Sequence, residues 1–524
     1  MKIALSAKQS GRSLNPYWNM CVGAGRANEG LRANWLEHLA LAVEECGFRY
    51  VRFHGLFHDD MFVYREDERQ ARYNWQYIDE LFDRLLDIGV RPYVELGFCP
   101  KDLASDDETI FWWKGGISPP ADNGKWGDLI EGFTRHCISR YGSEEVRSWY
   151  FEVWNEPNLS LFWSGTKAQY FELYKVTVLA IKRVDPELRV GGPATSNFVP
   201  DDRFAGERED TSLQRTLLVE DLGTLDWRGV WIEDFLSFCH REALPVDFVS
   251  AHPYPTDFAL DTRGDSQGRS RPVDSTLRDT CWLRDVVSKS AYPDAEIHLS
   301  EWSCSPTPRD HSHDYLQAAA YVVKTNLDGI GLTQCLTYWT FTDVFEETGA
   351  GAGIFHGGFG LINFQGIVKP TFHAYRFLNG LGDEELVREE GGIVTRNSQE
   401  GRLSALLYHY PAELRDTIPM SVGSREVAEQ VLAQGTPKTF ALTLSDLQPG
   451  APFELETLDA RHGFAFKCWE QMGCPEPPTA RQTALLRESA WDTKREVIRA
   501  DASGNLMWTR TLDPWTVVAI RQIG

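Results

Sequence analysis

Up to about residue 380 the chain alternates short apolar runs with longer amphipathic segments, and nothing else in the sequence restricts its fold as strongly. Eight runs read as strands: 17–23, 50–54, 91–98, 149–154, 189–192, 246–252, 296–302 and 336–342. Helical patterns fill the intervals. Within 75–88, Ile78, Leu81, Phe82, Leu85 and Leu86 recur at i, i+3, i+4, i+7 and i+8, the stripe of a helix laid on a sheet. Gly89 follows as a C′ stop, with Pro92 just beyond. Segments 34–45, 126–140, 168–183, 277–288 and 315–325 read in the same way. Eight β-then-α units in tandem predict a (β/α)8 barrel, with parallel strands covered by helices. A doubly wound sheet is the competing arrangement, but it usually carries G-x-G-x-x-G after its first strand. Here Gly23-x-Gly25 runs on to Asn28, and Gly351-x-Gly353 runs on to His356, so the barrel is preferred.

The texture changes after about residue 380. Short alternating runs at 403–408, 440–444, 453–458, 506–512 and 515–520 are separated by Gly, Pro and Asp clusters. They predict a β-sandwich over 381–524 beside a barrel over 16–380. Residues 1–15 include a strand-like run, 2–6, expected to join the sandwich. Charge then narrows the function. With 53 Lys+Arg against 76 Asp+Glu the formal net charge is −23, and no Lys/Arg patch occurs to hold nucleic acid or an anionic membrane surface. No run approaches 18 apolar residues, so no transmembrane helix is expected. Residues 1–12 lack the apolar core of a secretory signal, which predicts a cytoplasmic protein. Ten scattered cysteines without a C-x-x-C pair fit buried free thiols in a reducing compartment rather than a zinc site. Cys468 and Cys474 are near enough in sequence to bridge, but that compartment argues against it.

Barrel chemistry sits at the C-terminal ends of the strands. Side chains alternate along a strand, so Glu152, Trp154 and Glu156 are expected on one face, with Pro157 stopping the strand at the rim. Glu301 stands at the same height near the end of 296–302. Two carboxylates facing each other across one sugar-sized gap are what hydrolysis of a glycosidic bond requires. A lone Glu at a strand end is most often a solvated carboxylate or a salt-bridge partner. The surrounding residues shift that balance: His54, Glu95, His252, Tyr254, Trp339 and Asp343 end or nearly end other strands. Aromatic faces stack on sugar rings and polar groups bind hydroxyls, the makeup of a small-ligand pocket. H-E-x-x-H, G-x-S-x-G and the P-loop are all missing, and no metal or cofactor is expected. His311-Ser312-His313-Asp314 could ligate a metal, but a polar loop with Asp capping the helix from Tyr315 is preferred. Trp112-Trp113 either lines the rim near a leaving-group site or packs a loop.

Four runs carry a resemblance. They are Val51-Arg52-Phe53-His54-Gly55, the stretch from Trp149 through Asn155-Glu156-Pro157-Asn158-Leu159, the stretch Tyr338-Trp339-Thr340-Phe341-Thr342-Asp343-Val344-Phe345-Glu346-Glu347, and Phe355-His356-Gly357-Gly358-Phe359-Gly360-Leu361. Together they resemble family 39 of the glycoside hydrolases, which contains bacterial β-xylosidases and α-L-iduronidases, over about residues 15–380. The resemblance implies a retaining mechanism on a (β/α)8 barrel with an attached β-sandwich and no metal. It makes Glu156 the general acid/base and Glu301 the nucleophile. Asn155 would hold the sugar 2-hydroxyl, His54, His252 and Tyr254 would line the glycone pocket, and Trp339 would be a stacking platform. One carboxylate of the Glu346-Glu347 pair would reach the far hydroxyls, with either residue open for that place. Ser303-Cys304-Ser305 departs from the family, whose members often have Asn near there. A uronide would call for Arg or Lys beside its carboxylate, whereas this loop offers Glu346 and Glu347. The expectation is therefore an exo-acting β-D-xylosidase on short xylooligosaccharides, with a small carbohydrate as its partner. An arabinoside, another neutral sugar, an iduronide, or a non-catalytic sugar-binding barrel are the alternatives.

Overall fold

The strands Cys21–Arg26, Tyr50–His54, Arg91–Leu96, Tyr150–Val153, Arg189–Ser196, Phe248–His252, Glu296–Trp302 and Cys335–Tyr338 pair in parallel in chain order. Tyr338 pairs with Val22 to close them into a barrel. The computed structural model describes residues 1–68, 70–196, 231–260, 266–416, 418 and 423–524, with backbone alone for 256–260 and 266–270. The (β/α)8 expectation holds, with shifts at strand ends. The first strand begins at Cys21 rather than 17, because Tyr17–Asn19 forms a 3-10 turn after Pro16, closed by the Met20 N–H on the Tyr17 carbonyl at 3.2 Å. The eighth ends at Tyr338, earlier than the apolar run suggested.

The expected helices appear as Ala33–Cys46, Gln76–Ile88, Asn123–Tyr141, Lys167–Val184, Ser275–Lys289 and Leu316–Asp328, and Pro370–Asn379 follows the eighth strand. Ile78, Leu81, Phe82 and Leu85 bury their side chains as the 3.6-residue period required. Gly89 ends that helix with φ 91°, a left-handed conformation that glycine adopts without a Cβ clash. The helix Ile232–Arg241 was not expected, although Ile232, Phe235, Leu236 and Cys239 form its buried stripe. The predicted cap at Asp314 is corrected. His311–Asp314 is itself a 3-10 turn capped by Asp310, and the following helix starts without a side-chain cap. Asp314 is buried and ion-paired with Lys369 at 2.7 Å.

Beyond the barrel the chain forms two facing sheets. One has seven strands, in the order Arg12–Ser13, Glu384–Glu389, Gly392–Arg396, Leu403–Tyr408, Val517–Gln522, Pro452–Leu458 and Lys494–Arg499. The other joins Lys2–Ser6, Lys438–Ser445 and Leu506–Leu512, with the N-terminal strand parallel to its neighbour. Ile3, Val394, Leu407, Phe440, Leu442, Phe453, Trp508 and Ile520 fill the space between them. Three helices unforeseen in the alternating pattern interrupt this unit: Arg425–Leu432, Ala465–Gln471 and Ala480–Trp491. They dock on the barrel. Phe466 lies 4.5 Å from Tyr315 and Trp491 lies 5.5 Å from Phe372, ring to ring, while Gln317 donates to the Ala428 carbonyl at 3.0 Å. Among the described residues no helix is long and apolar enough to cross a membrane. All ten cysteines are free thiols, Cys468 and Cys474 included.

Candidate active site

The fourth strand delivers Glu156 by a different route from simple alternation. Pairing stops at Val153, and both Trp154 (φ 72°) and Glu156 (φ 46°) take left-handed backbone conformations. These are costly for residues with a Cβ and persist only where neighbours hold them. The Glu156 N–H donates to the Ala194 carbonyl at 2.9 Å, tying the turn to the fifth strand. Trp154 therefore does not share the face of Glu152 and Glu156. Its ring packs edge-on against Trp163 and Phe98, and its N–H donates to the Phe162 carbonyl at 2.9 Å.

Glu156 and Glu301 meet over the barrel mouth. A carboxylate oxygen of each, together with a ring nitrogen of His252, lie within 4.8 Å of one another. Glu301 is the better supported anion. The Tyr254 hydroxyl donates to Oε1 at 2.7 Å, and Arg52 Nη1 donates to Oε2 at 3.2 Å. Burial raises the Glu301 carboxyl, with His252 and Arg52 pulling the other way. Burial raises Glu156 to about 7, against a hydrogen bond from Ser196 and the charges of His54 and Arg52. His252 bridges Glu156 Oε1 (2.8 Å) and Ser300 Oγ (3.1 Å), and burial pushes its ring down to about 4, so it is neutral near pH 7.

Arg52 organises the floor of the site. It is fully buried and donates to Glu152 Oε2 (2.7 Å), Asn155 Oδ1 (2.8 Å) and Glu301, with Glu95 Oε2 at 3.1 Å. Its guanidinium lies 5.7 Å from the Trp339 ring centroid. Sequence reasoning gave Arg52 no role. A signal was present: Tyr50, Arg52 and His54 share one face of a strand whose inward side fills the barrel, where an arginine must be paired. Because Arg52 engages the Asn155 carbonyl oxygen, the buried amide NH2 has no partner among the described residues.

His54 sits between two carboxylates. Its Nδ1 is 2.6 Å from Glu95 Oε2, and its Nε2 is 3.6 Å from Glu347 Oε1. Burial works against a charged ring, yet Glu95 and Glu347 lift it to about 10, so His54 is an imidazolium. Glu347 is thus the member of the acidic pair that reaches the pocket. Glu346 turns away onto Arg32 (2.6 Å) and Arg26 (3.1 Å), which hold its carboxyl low despite partial burial. Trp339, 1% exposed, faces His54 with ring centroids 4.7 Å apart and packs with Phe345 and Phe359. Phe98, Phe111 and Phe162, also overlooked in the sequence, form an aromatic wall around His54. Asp343 is remote from this chemistry, being ion-paired with Lys369 at 2.8 Å. Of the two rim tryptophans, Trp113 is buried and Trp112 is 56% exposed, and Arg26 lies over both.

Glu156, His252 and Glu301 are also close enough to share a cation. The Arg52 guanidinium already sits 3.2 Å from Glu301, however, and would oppose a second positive charge there. Carboxylate oxygens this close belong to the short spacing of glycosidase carboxyl pairs rather than to the wide one that seats an attacking water. They match direct attack by one of them on a sugar's anomeric carbon. Fold and site together define a glycoside hydrolase. The chain belongs to Glycosyl hydrolases family 39, whose sequence profile matches residues 1–205 and 222–507. It is 35% identical to a β-xylosidase of Geobacillus stearothermophilus over 532 residues, covering 100% of this chain and 96% of that one. A β-xylosidase of Caldicellulosiruptor saccharolyticus is 42% identical over 392 residues, 74% of this chain and 73% of the relative. The crystal structure of a monomeric β-xylosidase from Caulobacter crescentus CB15 superposes with a TM-score of 0.84 at 33% identity, covering 99% of each chain.

Proposed function

We propose that the chain is an exo-acting, retaining β-D-xylosidase that releases xylose from the non-reducing end of short xylooligosaccharides. Glu301 is the nucleophile and Glu156 the general acid, then base. The observation that carries this reading is the approach of their carboxylate oxygens to within 4.8 Å. In the first step Glu301 attacks the anomeric carbon, the bond to the leaving oxygen breaks, and Glu156 passes its proton to that oxygen. The product is an ester between the sugar and Glu301. In the second step Glu156, now a carboxylate, takes a proton from water as the water oxygen attacks the same carbon and Glu301 departs. Two inversions restore the starting configuration.

The surrounding residues suit this cycle. Arg52 and Tyr254 place positive charge and a donor on Glu301, favouring its anionic form. A neutral His252 leaves Glu156 free to hold its proton. The unpartnered Asn155 NH2 is a donor for the sugar 2-hydroxyl, whose bond strengthens as the ring gains oxocarbenium character. His54, Glu347 and Trp339 supply a donor, an acceptor and an aromatic face for the remaining glycone atoms. A neutral sugar is favoured because Arg26 and Arg32, on the far side of this loop, are already engaged by Glu346. The names of the relatives add weight to xylose. Ten free thiols suit a reducing compartment, which supports a cytoplasmic setting and small imported fragments as substrate.

Initial rates on aryl β-D-xyloside, aryl α-L-arabinosides and an aryl iduronide, with NMR of the first-formed sugar, test the proposal. The expected result is the highest kcat/KM for the xyloside, with β-xylose appearing before mutarotation. Release of α-xylose first would end the retaining reading, and a preference for the iduronide would end the assignment to xylose.

A further inference from the structure

The rim loops after the seventh and eighth barrel strands meet the accessory helices around a second cavity, of about 400 Å³. Arg309, His311 and His356 line it from the barrel side, and Arg425, Trp469 and Glu476 from the other. Its two guanidiniums line the cavity from opposite sides without a matched carboxylate among the described residues, unlike other arginines near the barrel mouth. Arg26 and Arg32, elsewhere on the rim, and Arg52 beneath the paired glutamates are each matched to carboxylates. Arg309 instead donates only to the carbonyls of Pro308 (2.7 Å) and Gly349 (2.9 Å). Arg425 donates to the Phe355 carbonyl at 2.8 Å and lies 4.6 Å from the Trp469 ring centroid. Among the described residues neither meets a carboxylate at ion-pair distance, in a chain with 76 acidic side chains against 53 basic ones. The cavity's one carboxylate, Glu476, accepts the Ile354 N–H at 2.9 Å. His311 adds a buried Nδ1 with no partner among the described residues.

A half-buried guanidinium without a counter-charge gives up hydration for little return, and its planar fork fits two oxygens of one anion. We propose that this cavity binds an oxyanion, the carboxylate or phosphate group of a small molecule, between Arg309 and Arg425. The site is separate from the paired glutamates but linked to them. Arg309 is tied to Gly349, two residues past Glu347, and its charge acts on Glu347 and Asp343. A bound anion would offset that charge and register in KM, a consequence that rests on the glycone role given to Glu347 above.

Calorimetric titration of the whole chain with inorganic phosphate and, separately, with glucuronate tests the site, ionic strength being held constant with chloride. Saturable binding of at least one, with Kd about 1 mM or tighter, is expected. Phosphate alone would identify a phosphorylated ligand, and glucuronate alone a sugar acid. Arg425→Met and Arg309→Met should each weaken binding by about tenfold or more. Arg425→Gln takes the place of Arg425→Met should the latter misfold by circular dichroism. No saturable binding of either anion, or a Kd unchanged in folded Arg425 variants, would overturn the proposal. This readout needs no turnover, so its failure leaves the glycosidase reading untouched.

Discussion

Both ends of the barrel bury a histidine beside a glutamate, yet the two ends are built in opposite senses. At the floor, Tyr93 Oη meets His298 Nδ1 at 3.0 Å, His298 Nε2 meets Glu296 Oε2 at 3.0 Å, and Tyr150 donates to the same oxygen at 2.8 Å. Burial lowers the His298 ring, so this chain is neutral at the imidazole and its groups satisfy one another among Tyr50, Phe248 and Cys335. At the mouth, His54 is held as an imidazolium by Glu95 and Glu347, Arg52 spans four polar partners, and valences remain open. Among the described residues Glu95 Oε1 and Asn155 Nδ2 have no partner. A closed polar chain secures a fold, whereas unspent donors and acceptors in a buried cavity are what a polyhydroxylated ligand completes.

The contrast breaks most decisively at Glu301. Glu301→Ala should lower kcat/KM on an aryl β-D-xyloside by roughly 10^4-fold or more, because it removes the proposed nucleophile. Near-normal turnover would dissolve the distinction between mouth and floor. Next is Glu156. Glu156→Ala should cost about 10²–10^4-fold on substrates with poor leaving groups. It should spare activated aryl xylosides and respond to added azide by forming β-xylosyl azide. The sign of the pH dependence follows from burial. Glu156 must carry a proton to act as acid, so wild-type kcat/KM should fall as pH rises through about 7. Glu301 must be ionised, so the rate should fall again on the acid side. Glu156→Gln should erase the basic limb, and a limb surviving there would assign it to another group. The smallest effect is expected at the floor. Tyr93→Phe removes the hydroxyl facing His298 and should cost about 1 kcal/mol in denaturant unfolding, with kcat unchanged. A change in kcat would mean that the two ends communicate.

Much of this molecule was readable in advance where the signal is local. The 3.6-residue stripe of Gln76–Ile88, the glycine after it, and the strand carrying Glu301 needed only a window of neighbours. The turn that carries Glu156 did not follow from alternation. Its left-handed residues are held by Ala194 on the next strand, a contact 38 positions away and absent from the local pattern. The helices Ala465–Gln471 and Ala480–Trp491 were missed for a related reason. Short helices inserted in a strand-rich unit take much of their stability from docking on Tyr315 and Phe372 rather than from their own period.

Sequence alone decided the repeating β-then-α order, the acidic balance, and the presence of two glutamates at strand ends, because each is a property of composition or of residues a few positions apart. Tertiary structure decided that Arg52 ties Glu152, Asn155 and Glu301 together, that Glu347 rather than Glu346 turns to His54, and that Glu156 rather than Glu301 lacks a cation of its own. Those outcomes depend on which charges share a low-dielectric space, and only barrel closure brings residues from separate strands into it.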